Sequence, residues 1–214
     1  MKIRPQLAYF AIALISAVLA MPSQAFELTY SSRGSSYEVL GTETAQDLLD
    51  EFTSSSPIYC DRLAMTEFTR VNSAVSCGSG NSDLDDLVEL SFNLADDADF
   101  EFQLGTDWGR GGAVIVNNTL SYITTDDIWW GYDWNNADVI SNQLSLTAGL
   151  NTIQWIGFEG CCNGDRSIRF SVNGGSFQAL SEANMAAYEA SAVPVPAGLL
   201  LMLSMLPLAL RFRG

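Results

Sequence analysis

The chain has 214 residues, with 25 acidic side chains against 10 basic ones, a net charge of −15 and no histidine. Its only lysine is Lys2, so no Ser-His-Asp or Cys-His nucleophile system, no histidine zinc site and no Schiff-base lysine can be built from the rest of the chain. Such acidity also opposes binding to nucleic-acid phosphates and anionic lipid. A carboxylate pair could still hydrolyse glycosides, but composition does not single one out and no catalytic residue is assigned.

The first 25 residues have the layout of a secretory signal peptide: Lys2 and Arg4, an apolar run from Leu7 to Met21, and the small-x-small site Ser23-Gln24-Ala25. About fifteen apolar residues are short for a membrane span. Residues 26–192 carry every acidic residue and six arginines, are long enough for one core, and show no repeat or Pro-rich linker. Residues 26–180 are expected to form the domain and 181–192 a tether. Thr44, followed three residues later by Asp47 and then Leu48, Leu49 and Phe52 on one face, predicts a short helix.

Cys60 and Cys77 precede a series of strands. Apolar and polar residues alternate at Val88, Leu90, Phe92 and Leu94, at Phe100, Phe102 and Leu104, and at Ile168, Phe170 and Val172. Turns rich in Asp, Asn and Gly separate them, as at Asp96–Asp99, Asn117-Asn118 and Asn173–Gly175. Many short strands at this spacing predict an all-β, antiparallel sandwich of jelly-roll-like type with one short helix.

Between the strands lies an aromatic cluster. Trp108, Trp129, Trp130 and Trp134, mixed with Asp133 and several asparagines, are the candidates for stacking on a sugar; the competing reading is that large rings fill the core. Asp107, Asp126 and Asp127 are the acids nearest this region in sequence and the candidate ligands for calcium, which takes six to eight oxygens.

Four cysteines in an exported chain predict disulfides. Cys60 can join Cys77, closing a loop worth about 3 kcal/mol in the chain-entropy model, with Cys161 joined to Cys162. Alternatively, each adjacent cysteine ties one of the earlier pair. Adjacent Cα atoms lie about 3.8 Å apart, below the usual 4.4 Å for a bridge, so all three pairings stay open. A vicinal bridge would make Cys161–Gly164 a rigid rim for a binding site.

The chain closes on Val193-Pro194-Val195-Pro196-Ala197, an apolar run to Leu210, and Arg211 and Arg213. The positive-inside rule puts this basic end in the cytoplasm. Fourteen helical residues span only about 21 Å, short of roughly 30 Å of hydrocarbon, which makes the helix a marginal anchor. The arrangement resembles the PEP-CTERM sorting signal of Gram-negative bacteria in its Val-Pro-Leu-Pro-Ala variant, over residues 193–214. The resemblance implies export by the Sec machinery, an inner-membrane intermediate held by the C-terminal helix, processing by an exosortase, and a destination at the cell surface or beyond, commonly in bacteria that make exopolysaccharide. Gly157–Gly164 followed by Ser167–Phe170 is similar to the PEP-CTERM subgroup named for its Cys-Cys-x-Gly motif.

A second resemblance covers residues 105–180. Asp107-Trp108-Gly109, then Ala113–Asn118, and later Leu144–Ile153 look like the loop and strands of the protective-antigen-type glycan-binding sandwich. In that family an Asp-Asp pair holds calcium for a sugar; here Trp108 takes the second place and Asn117 stands where aspartate is usual. The expectation is a non-enzymatic glycan or matrix interaction protein, with a purely structural surface protein and a carboxylate-dependent glycoside hydrolase as alternatives.

Overall fold

The computed structural model describes residues 26–190. The expected signal peptide and the sorting signal, Val193 to Ala197 with Arg211 and Arg213, lie outside the described residues. In chain order the elements are β1 (Glu27–Gly34), α1 (Ala45–Ser54), β2 (Ile58–Ala64), α2 (Ser73–Ser76), β3 (Ser82–Leu94), β4 (Ala98–Gly105), β5 (Asp107–Trp108), β6 (Gly112–Val116), β7 (Thr119–Thr124), β8 (Ile128–Trp129), β9 (Ile140–Leu146), β10 (Gly149–Cys161), β11 (Ser167–Val172), β12 (Gln178–Ala179) and α3 (Glu182–Met185). Among these residues no helix is long and apolar enough to cross a membrane.

All strand pairs are antiparallel. One sheet has the order β2-β1-β3-β10-β6-β7 and the other β12-β11-β4-β9, while β5 and β8 form a two-stranded flap. The spine is the pairing of β3 with β10, from Leu94 opposite Gly149 to Ser82 opposite Cys161. Alternation does the sorting, since successive side chains leave a strand on opposite faces. Val88, Leu90, Phe92 and Leu94 on β3, with Ile153 and Trp155 on β10, meet Phe100, Phe102, Leu104, Ile168 and Phe170 from the other sheet. The Phe100 and Phe170 rings stack at 5.5 Å, and Phe102 meets Trp155 edge-on at 5.3 Å. The far face of the six-stranded sheet is covered by α1, whose Leu48 and Phe52 pack on Leu87, Ile156 and Phe158. Thr44 and Asp47 cap that helix reciprocally, as their spacing predicts.

Two features differ from the sequence reading. Residues 181–190, expected as a tether, belong to the domain: Met185 is fully buried, Tyr188 packs edge-on against Phe170, and Glu189 bridges Leu94. Apolar residues spaced through a polar segment carry this docking, with no periodic pattern to mark it. Trp108, a sugar-stacking candidate, is only 2% exposed and lies over Gly112 and Gly157, where a Cβ would fall inside its indole. Gly157→Ala is therefore expected to cost about 1–3 kcal/mol through forced repacking, read as a lowered urea midpoint.

A cleft at one end of the sandwich

At the end of the sandwich where β10 finishes, the chain reverses through Cys161–Asp165 before entering β11. The structure bonds Cys60 to Cys77, and the Cys161 and Cys162 sulfurs lie against each other at this turn. The turn is held from three sides. The Cys162 N–H donates to the carbonyl of Asn81 at 2.7 Å, the Cys161 N–H to Glu159 Oε1 at 2.7 Å, and the Gly164 N–H to Asp107 Oδ2 at 2.6 Å. Behind it, Asn72 caps α2 through Ala74 N–H and turns its amide onto the Asn163 carbonyl at 2.6 Å. Ser73 and Asn163 exchange hydrogen bonds. Because Cys77 follows directly on α2, the Cys60–Cys77 bridge ties this support to β2.

The result is a cleft of about 310 Å³ lined by Asn72, Asp107, Trp129, Tyr132, Cys162, Asn163, Gly164 and Asp165. Trp129 lies against Gly164, whose missing side chain makes room for the ring, yet it stays 38% exposed. Tyr132 meets it edge-on at 5.0 Å and carries the Arg70 guanidinium 3.7 Å over its own ring; Arg70 in turn binds Asp165 at 2.8 Å. Tyr132, Cys162 and Asn163 all have positive φ, at 63°, 80° and 27°. A left-handed conformation at a residue other than glycine costs about 1–2 kcal/mol, and such outliers gather at functional sites when their surroundings hold them.

Beneath the cleft runs a buried charge network. Arg166 and Asp86 are each 2% exposed and meet at 2.5 Å. Tyr30 donates to Asp86 at 2.6 Å, while Arg166 donates to Asn163 Oδ1 at 3.0 Å and the Gly164 carbonyl at 3.3 Å. Burial opposes the charge on Arg166, but Asp86, Tyr30, Glu159 and Asp107 together hold it protonated. Asp107 and Glu159 are near enough to feel each other's charge. Burial raises both, and the Asp107 charge adds to the rise at Glu159, which reaches about 7 against the pull of Cys161 N–H, Arg166 and Gly109 N–H.

The proton on Glu159 has a consequence for stability. Between its ordinary 4.5 and about 7, the native chain holds a proton that the unfolded chain has released, so stability falls as pH rises through that window and levels off above it. Glu159→Gln, which mimics the protonated form, should reduce this slope and leave the part due to Asp85, which burial also raises to about 7. It is expected to gain up to about 3 kcal/mol on the parent between pH 4.5 and pH 8, measured by urea denaturation across pH.

The other candidates are dispersed. Trp130 is 2% exposed, packs over Gly105 and donates its indole N–H to the Asp165 carbonyl at 2.9 Å, so it supports the cleft from behind. Trp134 is half-buried between Trp130 and Arg169. Asp133 is exposed and accepts from Asn135 in a local turn. Asp126 turns to the Thr124 hydroxyl; Asp127 is exposed and acts on Asp107 only through its charge. Among the described residues no three His, Cys, Asp or Glu side chains converge in a way that could hold a metal. Of the sequence candidates, Trp129, expected to stack on a sugar, and Asp107, expected as a calcium ligand, line the cleft, with Cys161–Gly164 at its rim; Asn72, Asp165 and Arg166 are marked by no local motif.

No family model matches the chain, and no curated protein matches it. Solved structures similar to it include a PA14 sugar-binding domain from an RTX adhesin (14% identity over 74% of this chain and 97% of that one, TM-score 0.41). Others are an anti-sigma factor domain-containing protein from Clostridium clariflavum (12%, 75% and 47%, TM-score 0.47) and the Epithelial Adhesin 9 A domain from Candida glabrata in complex with Galb1-3GlcNAc (7%, 74% and 88%, TM-score 0.45).

Proposed function

We propose that the protein is an exported, surface-sorted, non-enzymatic glycan-binding protein that holds a neutral sugar in the cleft between Trp129 and the Cys161–Asp165 turn. The observation that carries this reading is an exposed indole resting on a turn that Asn81, Glu159 and Asp107 hold by hydrogen bonds, with the Asn72 amide and the Asp107 and Asp165 carboxylates around it. A flat apolar ring suits the C–H face of a sugar, and the amide and carboxylates suit its hydroxyls. The carboxylates disfavour anionic glycans by like-charge repulsion. A volume of about 310 Å³ falls at the small end of ligand sites, which suits one terminal sugar. The sequence signals supply the delivery: Sec export, membrane retention by the C-terminal helix and exosortase processing, with exopolysaccharide or another extracellular glycan as the partner.

A hydrolase that uses Glu159 is disfavoured: the carboxyls of a glycosidase must flank the scissile bond, whereas Glu159 is 1% exposed. The test is a glycan array probed with residues 26–192, with and without calcium. Binding to neutral glycans in both conditions supports the reading; dependence on calcium would return Asp107, Asp126 and Asp127 as ligands. Silence in both, with the fold intact, would leave a structural surface protein.

A further inference from the structure

The register of the two long strands fixes where the cleft stands relative to the chain ends. At one end of β3, Glu27 pairs with Ser91, Glu189 bridges Leu94 and the Ala190 N–H donates to the Asn93 carbonyl. Both points where the chain leaves the described domain, Phe26 and Ala190, therefore lie at this pole. At the other end of β3, Ser82 pairs with Cys161 and Cys162 donates to Asn81. The second sheet agrees: β4 starts near the exits, four residues after Leu94, and ends with Gly105 opposite Ser167, beside the cleft turn. Twelve strand steps separate Asn93 from Asn81, or about 40 Å at 3.3 Å each.

We infer that the cleft is a trans-facing site: the domain stands on the pole where its two ends leave and presents the cleft to a glycan carried by an opposing surface. This deepens the glycan-binding reading and rests on it. A cleft meant for a glycan of the same envelope would have to lie beside the exits or on a flank; here it lies as far from both exits as the sandwich allows. Attachment through either terminus gives the same orientation.

Orientation on a bead tests it. Residues 26–192, which contain no lysine, are biotinylated enzymatically on an acceptor peptide placed either after Ala192 or within the Gly78–Gly80 loop at the cleft pole, where added atoms meet open space. Each is loaded on streptavidin beads. The probe is the neutral oligosaccharide with the strongest array signal, offered free in solution or coated on latex particles. Equal uptake of the free sugar on both beads, with particle capture at least tenfold higher for the C-terminally held protein, is the expected result. Equal uptake with equal capture in both orientations overturns the inference and leaves the binding reading intact. No uptake of free sugar by the C-terminally held protein overturns the binding reading itself. If the loop insertion alone weakens free-sugar uptake, the comparison is repeated with the Gly80→Lys variant biotinylated at its single lysine after capping the α-amine.

Discussion

Arg166→Met is expected to destabilise the domain by about 3–5 kcal/mol, the usual cost of removing one partner of a buried ion pair. The side chain is 2% exposed and meets Asp86 at 2.5 Å, with Tyr30 on the other Asp86 oxygen. Methionine fills most of the volume but leaves the Asp86 carboxylate buried without its cation, and it abandons the Asn163 and Gly164 acceptors that the guanidinium bonds. Adding Asp86→Asn to the Arg166→Met variant removes the orphaned charge, so the double variant should recover more than half of the loss. Equilibrium urea denaturation of the parent, both single variants and the double variant gives the coupling directly. A loss under about 1 kcal/mol for Arg166→Met would show that the network is not what holds this end of the sandwich.

Trp129→Ala should abolish most glycan binding while leaving the fold intact. Aromatic anchors at binding sites typically lose 2 kcal/mol or more on truncation, about thirtyfold in affinity. Trp129 is 38% exposed and rests on the Gly164 backbone, so its removal is expected to cost under about 1 kcal/mol of stability. Trp129→Phe keeps a ring and should retain part of the affinity. Trp108→Ala provides the contrast: it empties a core position and should lower stability by about 3–5 kcal/mol. Calorimetric titration beside thermal melts separates these outcomes. Unchanged affinity for Trp129→Ala would move the site elsewhere.

Local patterns in the sequence carried much of the architecture and little of the site. Val88–Leu94, Phe100–Leu104 and Ile168–Val172 alternate because one face of each strand meets the opposite sheet, and period 2 reads that contrast directly. β1 escapes the same test: Thr29, Ser31, Ser32 and Arg33 are buried beside Leu28 and Tyr30, since β2 and β3 flank the strand and the α1 side covers its other face. Some of these polar groups find partners there, as Ser31 does with the Arg62 N–H and Arg33 with the Thr53 carbonyl, while the Ser32 hydroxyl is buried without one. Among the tryptophans, composition suggests a sugar platform, but burial depends on what lies opposite. Trp108 and Trp130 are drawn in by Gly157, Gly112 and Gly105, which leave ring-sized gaps, and only Trp129 lines the cleft. The support for the cleft comes from Asn72, Asp86 and Tyr30, between 77 and 136 positions from the Asn163–Arg166 turn they brace, a distance no motif scan spans.

The indole N–H signals offer the most direct view of the site, since the chain's five tryptophans all lie in the described domain. During a titration of 15N-labelled protein with a neutral oligosaccharide selected on the array, the Trp129 indole resonance should shift progressively and saturate with the binding isotherm. The buried Trp108 and Trp155 resonances should stay in place. Saturation of the protein with a stationary Trp129 signal would contradict a cleft built around that ring.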